Sequence, residues 1–319
     1  MTSADATPVH YDHALYGRGG WWRGAVAIVL FVIGYFALSL VLTGVALAVD
    51  IASGAASVDN LAAGTIALTP VVMLANNLSL AALIPLSLLL QRVFFGVSPR
   101  WIFSVVGRFR WRWMARLALI LVPVWVVYIG ASFLLEPAGD ISVDGMVLAL
   151  LAVVVLTTPL QSAGEEFGAR GLIQRSAGSW FRHPGVAFAV STVVASALFT
   201  LAHFAADPWL IAYYFVFGVS ASLAARGTGG LEAPVLVHVL NNVLILVPAV
   251  LLGQLDQGFD RSVGTGGPFM LVPMAVCLAA AAISTWWARR NGVAATGRPA
   301  PRVAPRRPTA TVPEDSSAA

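Results

Sequence analysis

Three charged side chains follow a long apolar segment in the sequence QSAGEEFGARG at residues 161–171. Glu166 and Arg170 are four residues apart, so on one helix they share a face and can form an ion pair. Glu165 points about 100° away from that face and is left for another contact. Desolvation and a neighbouring like charge both increase the proton affinity of a carboxylate, as general acid or base catalysis requires. The two glutamates are therefore candidates for proton transfer, the alternative being a solvated helix end.

Two further pairs of side chains repeat the four-residue spacing later in the chain. Phe199 and His203 lie in the fifth apolar segment, and His238 and Asn242 lie near the start of the seventh. A lone histidine on an apolar helix more often hydrogen-bonds a neighbouring helix than reacts. A histidine and an asparagine on one face, however, can both donate hydrogen bonds to an oxyanion. With a carboxylate, these groups are the ones needed to add water to an amide.

The composition predicts that these residues lie in a membrane protein. Of 319 residues, 58% are hydrophobic and 11% are charged, whereas a soluble protein carries about 25% charged residues. Eight apolar segments are long enough to cross a bilayer, at residues 25–49, 65–90, 114–135, 146–164, 186–206, 209–225, 234–252 and 269–288. The first exceeds the length of a signal peptide's apolar region. We therefore expect an all-α, polytopic fold with about eight transmembrane helices.

The arginines predict the orientation of these helices. Alternate loops contain 18 of the 19 arginines, and positively charged loops face the cytoplasm. Both termini are then cytoplasmic, in a multi-pass protein of the cell membrane, which we take to be a bacterial inner membrane. The expected divisions are a cytoplasmic segment at 1–23, a membrane domain at 24–290 with a catalytic core at about 146–252, and a disordered cytoplasmic tail at 291–319, which is rich in proline and arginine.

A loop at residues 100–116 mixes arginine with tryptophan and phenylalanine. This mixture is typical of a short amphipathic helix on an anionic membrane surface. Nucleic acid is the other ligand that such a cluster can bind, but the adjoining spans argue against it. We therefore expect the lipid bilayer, and no nucleic acid, as a partner of this loop.

The motifs EExxxR, FxxxH and HxxxN, in this order on separate spans, resemble those of the CPBP family of intramembrane proteases. That family includes the type II CAAX prenyl endopeptidases and the bacterial Abi proteins linked to bacteriocin self-protection. The motifs cover about residues 165–242. The resemblance implies that Glu165 is the general base that activates a water and that His203 helps to position it. It also implies that His238 and Asn242 stabilise the oxyanion of peptide hydrolysis.

The resemblance further implies that Glu166 and Arg170 hold this region of the fourth helix. It leaves the cofactor open, because the family has been described both as metal-dependent and as glutamate-dependent. If a divalent metal such as zinc takes part, Glu165, His203 and His238 are the candidate ligands. A glutamate-activated water is favoured, since the sequence has no HExxH motif and an asparagine suits hydrogen bonding better than zinc ligation.

The leading hypothesis is thus an intramembrane endopeptidase that acts on a peptide or protein substrate, which could carry a lipid. One alternative is a non-enzymatic membrane scaffold or a bacteriocin-immunity-type protein that keeps the motifs for packing. Another is a transporter with an intramembrane proton relay. The sequence has no matching repeat halves, which argues against the transporter.

Overall fold

The computed structural model describes residues 7–63, 66–135, 141 and 143–301. It confirms the all-α, polytopic fold, and these described residues contain eight helices long and apolar enough to cross a membrane. We number them α1 (Trp21–Ser53), α2 (Pro70–Phe95), α3 (Trp111–Leu135), α4 (Gly145–Gly178), α5 (Pro184–Leu201), α6 (Pro208–Thr228), α7 (Glu232–Leu251) and α8 (Pro268–Arg290). Short helices occur at Val58–Ala62 and Leu255–Phe259, and single 3₁₀ turns at Tyr11–His13 and Pro99–Ile102. Two short strands, β1 (Val9–His10) and β2 (Thr296–Gly297), pair antiparallel.

Helix α4 is much longer than the predicted span at 146–164. It continues past Glu165 and changes from α-helix to π-helix at Phe167–Gln174. From residue 166 to its end at 178, every residue of the helix is buried. Neighbouring helices rather than lipid therefore surround its charges. Gly164 permits this packing, because a Cβ there would overlap the backbone carbonyl of Leu80 on α2.

Helix α5 ends earlier than predicted. It stops at Leu201, so His203 lies in the turn before α6 and not inside a span ending at 206. Phe204 in this turn has a φ of 50°, in the left-handed region that interrupts a helix. Asp207 then caps α6, accepting hydrogen bonds from the backbone N–H groups of Trp209 and Leu210, as favoured N-cap residues do.

One end of the bundle, which we call the arginine-rich face, carries the N-terminal segment, the starts of α1, α3, α5 and α7, and the ends of α2, α4, α6 and α8. Residues 11–13 are buried there, and Asp12 forms a 2.8 Å ion pair with Arg226. Strand β2 belongs to the tail that was predicted to be disordered from 291, so the prediction is wrong for this part. The remainder of the tail, residues 302–319, lies outside the described residues.

The loop after α2 also differs from its prediction. In place of an amphipathic helix, it forms a 3₁₀ turn and a packed loop in which Ile102 and Val105 are buried. Arg110 holds the end of this loop through two hydrogen bonds to the buried carboxylate of Glu232, at 2.7 and 2.8 Å. Arginine and aromatic residues of this loop therefore pack against the ends of the helices at the arginine-rich face.

Candidate active site

The predicted ion pair on α4 forms the centre of a buried polar cluster. Glu166 Oε1 accepts hydrogen bonds from Arg170 Nη1 at 3.0 Å and from His238 Nδ1 on α7 at 2.8 Å. All three side chains are buried. Arg170 also donates to the carbonyl of Gly218 on α6 at 3.0 Å, and its guanidinium lies 4.8 Å from the Phe199 ring centroid. Arg170 thus ties α4 to α5 and α6.

The partner of Glu166 fixes the orientation of the His238 ring. Because a carboxylate only accepts hydrogen bonds, His238 Nδ1 carries a hydrogen. Nε2 on the other side of the ring then faces Glu165, whose Oε2 atom lies 4.0 Å away. His238 therefore lies between the two glutamates, with one ring nitrogen directed to each.

Glu165 is accordingly placed opposite a different histidine from the one we expected. The sequence motifs paired it with His203, whereas the structure directs it towards His238. Its other carboxylate oxygen accepts a hydrogen bond from Gln161, one helical turn earlier. The side chain remains 12% exposed, in contrast to the fully buried Glu166. Of the two carboxylates, Glu165 is the one that a reactant can reach.

Asn242 is linked to Glu165 through the same glutamine. Its Nδ2 atom lies 3.2 Å from Gln161 Oε1 and 3.4 Å from Ser162 Oγ. Sequence reasoning missed Gln161, although its spacing of four from Glu165 was available as a signal. The predicted residues of the first and third motifs therefore form two hydrogen-bonded groups, one around Glu166 and one around Gln161, which approach each other at the 4.0 Å separation of Glu165 and His238.

His203 lies across Phe199 from His238. The Phe199 ring centroid is 4.5 Å from that of His203 and 5.9 Å from that of His238. His203 Nδ1 donates to the Phe199 carbonyl at 2.7 Å, and its ring stacks on Tyr214 with centroids 3.9 Å apart. Burial lowers the pKa of His203 to about 3. The ring is therefore neutral at physiological pH and presents Nε2 as a hydrogen-bond acceptor.

Helix α6 contributes aromatic residues that the sequence did not single out. Phe217 lies edge-on to His238 with centroids 4.8 Å apart. The Tyr213 hydroxyl lies 3.1 Å from Asn241 Oδ1. Tyr213 and Phe217 are four residues apart, and in an apolar span this spacing is as typical of a packed core as of a functional site. The sequence therefore could not distinguish these two roles.

A three-ligand metal centre does not fit this arrangement. Among the described residues, no group of three or more His, Cys, Asp or Glu side chains is placed to hold a metal ion. The candidate ligands explain why: the His203 ring lies against Phe199 and stacks on Tyr214, whereas Glu165 faces His238. Each candidate ligand instead hydrogen-bonds a group outside this set: Glu165 bonds Gln161, His203 bonds the Phe199 carbonyl, and His238 bonds Glu166.

The segment that builds this cluster matches a known family. Residues 145–244, just under a third of the chain, match the family model described as type II CAAX prenyl endopeptidase Rce1-like. No curated protein and no solved structure matches the chain. The matched segment contains the three motifs and every polar residue of the cluster. The family that it matches supports peptidase activity of the CAAX type in a multi-pass membrane protein. Residues 145–244 are thus similar to the Rce1-like type II CAAX prenyl endopeptidases, which confirms the resemblance indicated by the motifs.

Proposed function

We propose that this protein is an intramembrane peptidase that hydrolyses a peptide bond with a water molecule activated by Glu165. The observation that carries the proposal is the placement of His238 between an accessible and a fully buried glutamate. A single histidine held in this way can act on a reactant beside Glu165 without changing its own orientation. Preorganised groups of this kind supply much of an enzyme's stabilisation of a transition state.

The charges of the cluster balance when His238 is an imidazolium. Two carboxylates, Glu165 and Glu166, then face two cations, Arg170 and His238, within a largely buried volume. Buried charges are tolerated only when they are paired in this manner. In this form His238 donates from Nδ1 to Glu166 and from Nε2 towards the space beside Glu165.

The gap between Glu165 and His238 suits one water molecule. A separation of 4.0 Å between Oε2 and Nε2 exceeds a direct hydrogen bond, but a water at about 2.8 Å from each atom bridges it. The water donates one hydrogen to Glu165 and accepts from His238. Its second lone pair is left to attack a carbonyl carbon.

The reaction then needs only groups that are present in the cluster. As the water oxygen bonds to the carbonyl carbon, Glu165 accepts the water's proton, and the carbonyl oxygen becomes an oxyanion. His238 Nε2 and Asn242 Nδ2 donate hydrogen bonds to this oxyanion. The C–N bond breaks as Glu165 passes its proton to the leaving nitrogen, and the products are a carboxylic acid and an amine, between which the acid proton then passes to give a carboxylate and an ammonium group. The role in positioning the water that the resemblance implies for His203 stays a prediction, because the contacts of its ring are with Phe199 and Tyr214.

The substrate class follows from the family match and from the location of the site. Because the site lies in membrane-spanning helices, we propose a peptide that reaches it from the bilayer or its surface. A lipidated peptide, such as one with a prenylated cysteine near its C-terminus, would be retained there by its lipid. The bacterial inner membrane stays a prediction, and so do the cytoplasmic termini, which are inferred from the charges of the loops.

Glu165→Gln tests the proposal directly. The amide keeps the size of the side chain but cannot accept the proton, so we expect cleavage to fall by about 100- to 10,000-fold. The measurement is cleavage of quenched fluorescent peptides, with and without a farnesylated cysteine, by purified protein in liposomes. Asp256→Asn is the control, since it removes an exposed carboxylate elsewhere in the chain.

Full activity of the Glu165→Gln protein would exclude Glu165 as the base. A wild-type protein that is folded but cleaves none of the peptides would instead favour the non-enzymatic scaffold.

A further inference from the structure

A cleft of about 300 Å³ lies on the arginine-rich face, between the start of α1 and the end of α2. It is outside the segment matched to the peptidase family, and the proposed reaction does not use it. Its lining residues are Arg18, Gly19, Arg23, Val93, Phe95 and Gly96. Two arginines and no carboxylate therefore line the cleft among the described residues.

Both guanidinium groups are fixed at the cleft by contacts with the protein. Arg18 donates to the carbonyl of Ala300 in the tail. Arg23 donates to the carbonyl of Phe94 at 3.3 Å, and its guanidinium lies 5.5 Å from the Trp22 ring centroid. Guanidinium groups match the geometry of phosphate oxygens and can bind them in a bidentate manner. The cleft is thus suited to a phosphate group.

The surroundings of the cleft indicate that the phosphate belongs to a lipid. Trp21 and Trp22 are 71% and 51% exposed beside it, as interfacial tryptophans are. Val93, which lines the cleft, is exposed on α2, and so are Leu89 one turn earlier on α2 and Val26 one turn after Arg23 on α1. Leu89 and Val93 are four residues apart and share a face of the helix. An apolar strip therefore continues from the charged cleft along the membrane-spanning part of the helices.

We propose that this cleft binds an anionic phospholipid, with its phosphate at Arg18 and Arg23 and an acyl chain along the apolar strip. The site combines a localised positive charge with an adjacent apolar surface. A soluble phosphate would use only the first of these, and a zwitterionic lipid would gain less from the charge. The lipid would hold the start of α1 against the end of α2.

The test compares lipids and soluble phosphates on the full-length protein in detergent. Phosphatidylglycerol, phosphatidylcholine, glycerol 3-phosphate and inorganic phosphate are titrated separately, and bound lipid is measured by native mass spectrometry together with the shift in melting temperature. We expect phosphatidylglycerol to bind most tightly. Arg18→Gln/Arg23→Gln should weaken this binding by about tenfold or more, because each arginine near an anionic lipid contributes substantially to the attraction.

Arg289→Gln/Arg290→Gln is the matched control, since it removes two exposed arginines from the same face at the end of α8. We expect this variant to bind phosphatidylglycerol as the wild type does. Equal losses in the two variants would overturn the proposal and indicate diffuse surface charge. Equal binding of phosphatidylcholine, or of either soluble phosphate, would overturn it as well.

A second substitution keeps the test valid if the glutamine variant does not fold. Arg18→Lys/Arg23→Lys retains both charges but removes the bidentate geometry. We expect it to melt like the wild type without lipid and to bind phosphatidylglycerol several-fold more weakly. Unchanged binding in this variant, together with unchanged binding in the single variants Arg18→Gln and Arg23→Gln, would contradict a phosphate site in the cleft.

Discussion

Glu166 shows how one buried residue can serve both stability and chemistry. Its Oε1 atom accepts hydrogen bonds from Arg170 and from His238. The first contact neutralises a buried guanidinium, and the second fixes the ring that faces Glu165. Removing the carboxylate should therefore have two effects, and these can be separated by experiment.

We predict that Glu166→Gln strongly destabilises the protein, by about 3–5 kcal/mol, because it leaves Arg170 buried without a counterion. The double variant Glu166→Leu/Arg170→Met replaces the pair by apolar side chains and should recover much of this stability. It should not recover activity, because His238 then lacks the acceptor that orients it. Thermal unfolding in detergent and peptide cleavage measure the two effects.

Recovery of both stability and cleavage in the double variant would show that the pair serves only for packing. If the double variant stays as unstable as Glu166→Gln, the loss of the polar contacts, and not the unpaired charge of Arg170, accounts for most of the lost stability.

At the scale of single elements, α4 does most to position the site. Its α-helical part carries Gln161 and Glu165 on one face, and its π-helical part begins directly after Glu166. Wide π-helical turns are rare and are found frequently at functional sites. The element can occupy its place only because Gly164 allows α2 to approach.

We predict that Gly164→Ala destabilises the protein by about 1–3 kcal/mol, because the added Cβ overlaps the Leu80 carbonyl and forces α2 to move. Cleavage should fall as well, since Glu165 is the next residue. The control is Gly130→Ala on α3, where a Cβ meets nothing within 4 Å. That change should leave activity intact and, if anything, raise the melting temperature, because alanine favours a helix over glycine. Equal behaviour of the two variants would contradict the close packing at Gly164.

At the scale of the whole molecule, the arginine-rich face predicts how the bundle is oriented in the membrane. Strands β1 and β2, the Asp12–Arg226 ion pair and the contact between Arg18 and Ala300 gather both ends of the described chain on this face. The charge rule predicts that the face is cytoplasmic. The two termini should therefore be protected from reagents outside the cell.

Cysteine labelling checks this orientation. The single native cysteine, Cys277, is buried. Replacing it in a Cys277→Ser background leaves each introduced cysteine as the only thiol that can be labelled. We predict that Ala55→Cys and Ser262→Cys, exposed on the face opposite the arginine-rich one, react with a membrane-impermeant maleimide in intact cells. Arg182→Cys, exposed on the arginine-rich face, should react only after permeabilisation. The reverse pattern would invert the predicted topology.

The sequence by itself determined the features that depend on local geometry. Eight apolar segments of sufficient length fixed the number of spans, and the four-residue spacing placed Glu166 with Arg170 on one face, as the structure confirms. The motifs also sufficed for the resemblance that the family match supports. The number of spans and the shared face need only the thickness of a bilayer and the repeat of a helix.

Only the tertiary structure decided which side chains from different helices meet. The resemblance made His203 the partner of Glu165 in holding a water, but the packing of α7 against α4 brings His238 to that side chain. The ends of α4 and α5 and the pairing of the tail with the N-terminal segment were misjudged for the same reason. Each depends on contacts between residues far apart in the chain, and hydropathy along a single segment carries no information about such contacts.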